Sequence, residues 1–409
     1  MPRLVSSGVV MSVCIAGAAL GVQSEFTSPR SEDGNGHTQS SQVLSVTLAD
    51  GRGGRYTRSF QAPNGIVYML GSMKVIEGGR RWALCDESDP PWPAGALHEK
   101  RMNSFLSKQG LFIALENKVL CKQGACTARM WRSVDDLKTI HEERTSVIIP
   151  EAGKVDTPPD KWPPLIFHRG ILELEDGSFL AAMYGQFEQD TTIVSERSEG
   201  AGDRKSRAFV VRSADRGKSW RFLANVAVPD PKGIDDSEGF NEWHFIRLAD
   251  ARLFGVVRTG HYTPMVAVWS GDNGRTWTKP KTLPGLGPAG VDPYLLRLSD
   301  GRLALAFGDI VQPTEPKEDW WKRYEDKTVR RPWNGDPRSC NLAINRDGTG
   351  ASWETSIIGD FGKRTGYATV FEIEPNVLVY QCDLDVWRID LRPVPANAAT
   401  RAASPGVPD

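Results

Sequence analysis

The chain has 409 residues, 40% of them hydrophobic, enough for a large core, and all-β chains of this length often form one unit. Lysine plus arginine, 50, nearly balances aspartate plus glutamate, 51, so no global field points to nucleic acid or to an anionic membrane surface. Thirteen tryptophans and 40 glycines favour short strands and tight turns over helices.

The chain begins with a thin positive region at Arg3 and an apolar, small-residue run over 9–22. Val22-Gln23-Ser24 offers small residues at a cleavage position, so 1–24 reads as an export signal and the protein as secreted, periplasmic or otherwise extracytoplasmic. The run is short for a membrane span, and no stable insertion is expected once the signal is removed. Removal takes Cys14 and leaves five cysteines, an odd number. Cys121 and Cys126 flank a hairpin-like turn and could bridge. No His/Cys cluster has zinc spacing, so neither a metal centre nor a cofactor is expected.

Residues 25–42 are polar and turn-rich and read as a disordered linker. From Val43 the pattern is strand, turn, strand, with Pro63-Asn64-Gly65 as good hairpin chemistry. Short strands are expected at 104–107, 111–115, 118–121 and 127–132, followed by Ser133-Val134-Asp135. A third unit opens at 167–186 around the turn Glu175-Asp176-Gly177. It reaches Ser213-Ala214-Asp215-Arg216-Gly217-Lys218-Ser219-Trp220. A fourth spans 238–277 and ends in Ser270-Gly271-Asp272-Asn273-Gly274-Arg275-Thr276-Trp277. A fifth runs from 291–309 through a long loop to 341–344 and then Asn345-Arg346-Asp347, ending at Trp353, and a sixth covers 366–391. Residues 393–409 are Pro/Ala-rich and read as a loose tail.

No segment sustains a helical period, and the repeated unit of short strands ends in S-x-D-x-G-x-x-W. That motif supplies a glycine for a tight turn, an aspartate to bind turn amides and an aromatic to bury. Asp215, Asp272 and Asp347 are therefore expected to hold turns rather than to catalyse. The expected fold is all-β, a six-bladed β-propeller of four-stranded antiparallel blades over 43–392. Radial closure would hide the edges of such sheets.

The motif resembles the Asp box of the sialidase (neuraminidase) superfamily, and the resemblance covers roughly 165–390. The fourth unit is similar to the family's order of glutamate, apolar hairpin, arginine and Asp box, with Glu242 and Arg258 in those places; Glu238 is the rival of Glu242. Gly366-Tyr367 resembles the family's nucleophile strand, and Arg169-Gly170-Ile171 stands where the family has R-I-P. The resemblance implies Tyr367 as nucleophile, Glu242 as its base and Asp190 as acid, with Asp203 and Glu188 as alternatives. It implies Arg169, Arg258 and Arg338 as a carboxylate clamp, with Arg330 and Arg331 as rivals of Arg338. Three arginines suit a sugar that carries a carboxylate, and a neutral tyrosine approaches such a substrate more readily than a carboxylate nucleophile does. His168, His244 and His261 flank strand ends, and Trp320, Trp321 and Trp333 could stack a sugar face. The implied function is a secreted exo-acting hydrolase that removes sialic acid, or a related acidic sugar, from glycoconjugates with retention. The alternatives are a non-catalytic propeller that binds acidic glycans or proteins, a structural propeller, and a neutral-sugar hydrolase using Glu238 with Asp190.

Overall fold

The computed structural model describes residues 102–135, 138–150, 165–194, 203–230, 238–260, 263–283, 285–286, 289–309, 338–362, 366–382 and 385–392. It also describes the short strands Ser24–Glu25, Ser45–Ala49, Ser59–Gln61, Val67–Leu70, Val75–Ile76 and Trp82–Cys85. Among the described residues every regular element is a strand, so the fold is all-β. No helix of the described residues is long and apolar enough to cross a membrane. Of the signal read over 1–24 and the linker over 25–42, only Ser24–Glu25 are described, as a short strand; the rest, and the tail 393–409, lie outside the described residues.

Two sheets are four-stranded antiparallel meanders. One holds Trp243–Arg247, Leu253–Val257, Val266–Ser270 and Lys281–Thr282. The other holds Val291–Arg297, Leu303–Asp309, Arg338–Asn345 and Glu354–Gly362. The remaining sheets depart from the four-stranded antiparallel meander. Between 102 and 227 the strands join into one nine-stranded sheet. They join because Lys118–Lys122 pairs with Leu165–Glu173, and His141–Ile148 pairs in parallel with Ser219–Ala227. Near the start of the chain, Val67–Leu70 and Trp82–Cys85 also pair in parallel. The last sheet has five strands: Ala368–Glu374, Val377–Cys382 and Asp385–Asp390 are joined by Ser45–Ala49, with Thr47 opposite Arg388, and Ser24–Glu25 pairs on its far side.

Burial follows the strand positions. Leu253–Val257 and Leu303–Asp309 are buried on both faces, as their unbroken apolar runs require. Lys118–Lys122 alternates exposed and buried residues, as a strand with one wet face does. The first strand of each group packs on the first strand of the next. Met102–Leu106 meets Leu165–Glu173, which meets Trp243–Arg247, then Val291–Arg297, then Ala368–Glu374. A separate apolar cluster fills each space between successive groups, built around Trp220, Trp243, Phe254 and Tyr380 respectively. Each large side chain buried this way contributes roughly 1.5–3 kcal/mol.

The repeated aspartates hold turns. Asp272 accepts bonds from Ser270 Oγ at 2.9 Å, the Thr276 amide at 2.9 Å and Thr276 Oγ1 at 2.6 Å. Asp215 repeats this with Ser213 and Ser219, and Asp347 with Asn345 and Thr349. Asp135 does the same with Ser133 and Thr139, although that stretch lacks the glycine and tryptophan of the full motif. Two disulfides form, Cys121–Cys126 and Cys340–Cys382. The second ties the strand headed by Arg338 to the strand beside Ala368.

Candidate active site

The site lies where the first strands of neighbouring sheets meet. Tyr367 directly precedes the strand Ala368–Glu374 and is 5% exposed. It reaches its place because Gly308 lets the neighbouring backbone close in: a Cβ at Gly308 would lie 2.4 Å from the Gly366 Cα. The Tyr367 hydroxyl donates to Glu242 Oε1 at 2.6 Å. The other carboxylate oxygen, Oε2, sits 3.2 Å from Arg258 Nη1. Glu242 and Arg258 face one another across the ends of one hairpin, and the Arg258 amide donates to the Glu242 carbonyl at 2.8 Å. Glu238 Oε2 approaches Arg258 Nη2 at 3.1 Å and also accepts from Asn241 Nδ2. Burial disfavours the Arg258 charge, but Glu238 and Glu242 outweigh it and raise its pKa above the ordinary arginine value.

Arg169 enters the same cluster through a bulge. The pairing of Leu165–Glu173 with Phe179–Gly185 slips between His168 and Ile171, and Gly170 takes a φ of 99°. Phe245 packs where a Gly170 side chain would project, with its ring 3.2 Å from an added Cβ. The departure from R-I-P thus has a local cause: the glycine makes the bulge that turns Arg169 into the site. Arg169 Nη1 donates to the Ala368 carbonyl at 2.5 Å, Nη2 contacts Asp292 Oδ2 at 2.5 Å, and its guanidinium lies over the Tyr294 ring.

Asp292 carries no sequence signal beyond being a charge in an apolar run, and the site is built around it. It is fully buried, its φ is +49°, and a second bulge falls between Val291 and Tyr294. Its amide donates to Glu242 Oε2 at 3.2 Å. Its Oδ1 lies 3.1 Å from His168 Nε2 without an aligned hydrogen bond. His168 Nδ1 lies 3.0 Å from the Trp243 amide and 2.9 Å from the Trp243 carbonyl, and its Nε2 faces Asp292.

The fold is shared with a solved structure. A protein of unknown function from Dyadobacter fermentans superposes with a TM-score of 0.56 at 15% identity, covering 84% of this chain and 96% of that one. Looser likenesses include a Hadza microbial sialidase, TM-score 0.47 at 14% identity, covering 71% of this chain and 52% of the sialidase. A Penicillium chrysogenum α-L-arabinanase complexed with arabinobiose gives 0.45 at 13%, covering 69% and 74%. No family model and no curated protein matches the chain.

Of the residues expected at the site, Tyr367, Glu242, Arg258 and Arg169 come together, with Glu238 beside them. Asp190 makes other contacts: its carboxylate accepts from Arg207 Nε at 2.9 Å, from Arg207 Nη2 and from the Phe187 amide at 2.7 Å. The same Arg207 lies over the Phe187 ring at 4.4 Å. Glu188 and Asp203 hold the same loop through their carbonyls, to Arg204 Nη1 and the Val194 amide. Arg338 heads its strand, but its side chain is outside the described residues. Arg330, Arg331, Trp320, Trp321, Trp333 and His261 lie outside them altogether.

His244 is buried and packs tilted against Tyr294 with ring centroids 4.8 Å apart. Burial first, then Arg169 and His168, hold its pKa well below the ordinary histidine value, so it stays neutral at neutral pH. Burial likewise pushes the Tyr294 hydroxyl up to about 12, with Arg169 acting against it. Among the described residues no group of His, Cys, Asp and Glu forms a metal cluster.

Proposed function

We propose that the chain is a secreted glycoside hydrolase of sialidase type that removes a terminal sialic acid, or a related acidic sugar, with retention. In this reading 43–392 is a six-bladed β-propeller. The succession of first strands packed on one another and the separate core between each pair of groups support it. Ser45–Ala49 completes the final blade. Two disulfides among the described residues fit an extracytoplasmic, oxidising location after removal of 1–24.

One observation carries the enzymatic reading: the Tyr367 hydroxyl points its proton at Glu242, whose other oxygen faces Arg258. A phenol so placed can attack while neutral in approach and lose its proton as it bonds. The Tyr367 oxygen joins the anomeric carbon as the glycosidic C–O bond breaks. The phenolic proton goes to Glu242, and the leaving oxygen takes a proton from an acid. Water, activated by the same residue, then releases the sugar. Asp190 holds the acid role in this reading, which requires substrate to draw it off Arg207. Arg169, Arg258 and Arg338 bind the carboxylate.

The test is hydrolysis of a fluorogenic sialoside, with the anomeric form of the first product read by NMR. Turnover with retention, lost in folded Tyr367→Phe, is the expected result. Wild-type protein that turns over no acidic glycoside sinks the proposal, and binding without turnover, unaffected by Tyr367→Phe, favours a glycan-binding propeller.

A second reading rests on charge. Arg258 already faces two carboxylates and Arg169 faces one, so an acidic ligand must compete with them. A neutral glycoside would not, and turnover of neutral but not acidic aryl glycosides would select that class.

A further inference from the structure

Tyr367 and four residues around it form a closed ring, and Asp292 is the residue through which it closes. From its backbone, the Asp292 amide donates to Glu242 Oε2, and Glu242 Oε1 receives the Tyr367 hydroxyl. From its side chain, Asp292 Oδ2 holds Arg169 Nη2, and Arg169 Nη1 donates to the carbonyl of Ala368, the residue after Tyr367. Tyr367 is therefore gripped twice, at its hydroxyl through the amide of Asp292 and at its main chain through the carboxylate.

One residue can serve both branches only if its N–H and its side chain turn to the same side. Extended backbone does not do this. At Asp292 the φ of +49° and the adjoining bulge do. A fully buried residue with a side chain is uncommon in the left-handed region, and such a backbone persists where surrounding contacts over-determine it. Here those contacts are Arg169, His168 and Glu242.

We infer that Asp292 is the positioning residue for Tyr367, fixing through Arg169 and Glu242 where the phenol stands relative to the sugar. The inference rests on the glycosidase reading only for its kinetic consequence. Because Asp292 occupies Arg169, it also opposes a substrate carboxylate at that arginine. Its removal therefore separates two parameters: kcat falls because the ring opens, while KM for an acidic glycoside stays level or drops because a competing anion is gone. A residue with a merely structural role would not divide them in this way.

The experiment compares Asp292→Gly and Asp292→Asn with wild type. Both residues accept the left-handed backbone, so the fold has no steric reason to fail. Asn keeps an acceptor for Arg169 and Gly keeps none. The expected order of kcat is wild type, then Asn, then Gly, with Gly down at least tenfold and KM no higher than wild type. A crystal structure of the Gly variant is expected to place Arg169 beyond hydrogen-bond reach of the Ala368 carbonyl. Folded variants with kcat within twofold of wild type, or a loss carried wholly by KM, overturn the inference. So does an Arg169 still seated on Ala368 in the Gly variant. If wild type hydrolyses no glycoside, the glycosidase reading falls, and the crystal structure alone decides whether Asp292 holds the ring.

Discussion

Arg258→Met is the sharpest probe of how the site is held. Arg258 is 3% exposed and faces Glu238 at 3.1 Å and Glu242 at 3.2 Å. Methionine fills much of the same volume without charge. Removing the cation strips two carboxylates, one buried and one partly buried, of the charge they share, and breaking a buried pair in this way costs about 3–5 kcal/mol. For 409 residues the unfolding entropy is about 0.9 kcal/mol per degree, so the Tm is expected to fall by about 3–6 °C at neutral pH. The deficit has a pH signature. Without Arg258 the folded state favours protonated carboxyls over ionised ones, so the two glutamates bind protons more tightly in the folded chain than in the unfolded. A group raised in this way loses stability as pH rises, so the deficit is largest at pH 7 and shrinks towards pH 5. Adding Glu238→Gln to the variant is expected to return about 1–2 kcal/mol by removing one of the stranded charges. Thermal denaturation followed by circular dichroism, at several pH values, reads all of this. A Tm within one degree of wild type at neutral pH would refute the claim that Arg258 neutralises this pair.

Asp272→Ala removes three turn hydrogen bonds at a partly exposed site and is expected to cost about 1–2 kcal/mol in urea denaturation, with kcat and KM unchanged. Burial opposes ionisation of Asp215 and Asp272, but hydrogen bonds from Ser219 and Thr276 outweigh it and lower both pKa values; Thr139 holds exposed Asp135 at about 2. Lowered carboxyls stabilise the fold above the unfolded value near ~4 and lose that contribution as pH falls. The Tm should therefore drop between about pH 4 and about pH 2, and drop less in an Asp215→Asn, Asp272→Asn double variant. Gly170→Ala strains a φ of 99° and meets Phe245, so a loss of about 1–3 kcal/mol is expected together with a raised KM as Arg169 is displaced. Replacing Cys340 and Cys382 by serine opens a link across a sequence separation of 42 and is expected to cost about 2–4 kcal/mol, read as a lower urea midpoint.

The parts of the site that were legible in the sequence are those whose signal is local. Glu242 and Arg258 stand at the two ends of one apolar hairpin, so their facing each other follows from antiparallel pairing alone, in which residues at matched distances from the turn come together. The two full motifs and the third, one residue longer, announced their turns through the spacing of serine or asparagine, aspartate, glycine and tryptophan. Asp135 shows what that spacing misses: serine, aspartate and threonine suffice for the bonds, and the glycine and tryptophan do not. Asp292 was illegible because its role depends on a backbone dihedral and a bulge, and Val291-Asp292-Pro293-Tyr294 reads as ordinary strand entry. Asp190 was legible by position but not in its contacts. A carboxylate in a loop after the first arginine fits an acid by position, but only the fold reveals that Arg207, opening the strand Arg207–Ser213, closes on it. The sheet boundaries were also hidden, since the pairings that fuse the strands between 102 and 227 join edges far apart in sequence.

The pairing of Thr47 with Arg388 has a kinetic meaning. During synthesis the strand Ser45–Ala49 emerges early and waits for its neighbour Asp385–Asp390, which leaves the ribosome almost last. The sheets between them can form in order of emergence, but Ser45–Ala49 and Asp385–Asp390 each keep an open flank until the two meet. Their pairing has the longest range among the described strands and is expected to be slow. A nascent chain arrested before residue 385 would then carry an unfinished sheet beside the Tyr367 strand, and the candidate site would mature after the sheets that precede it.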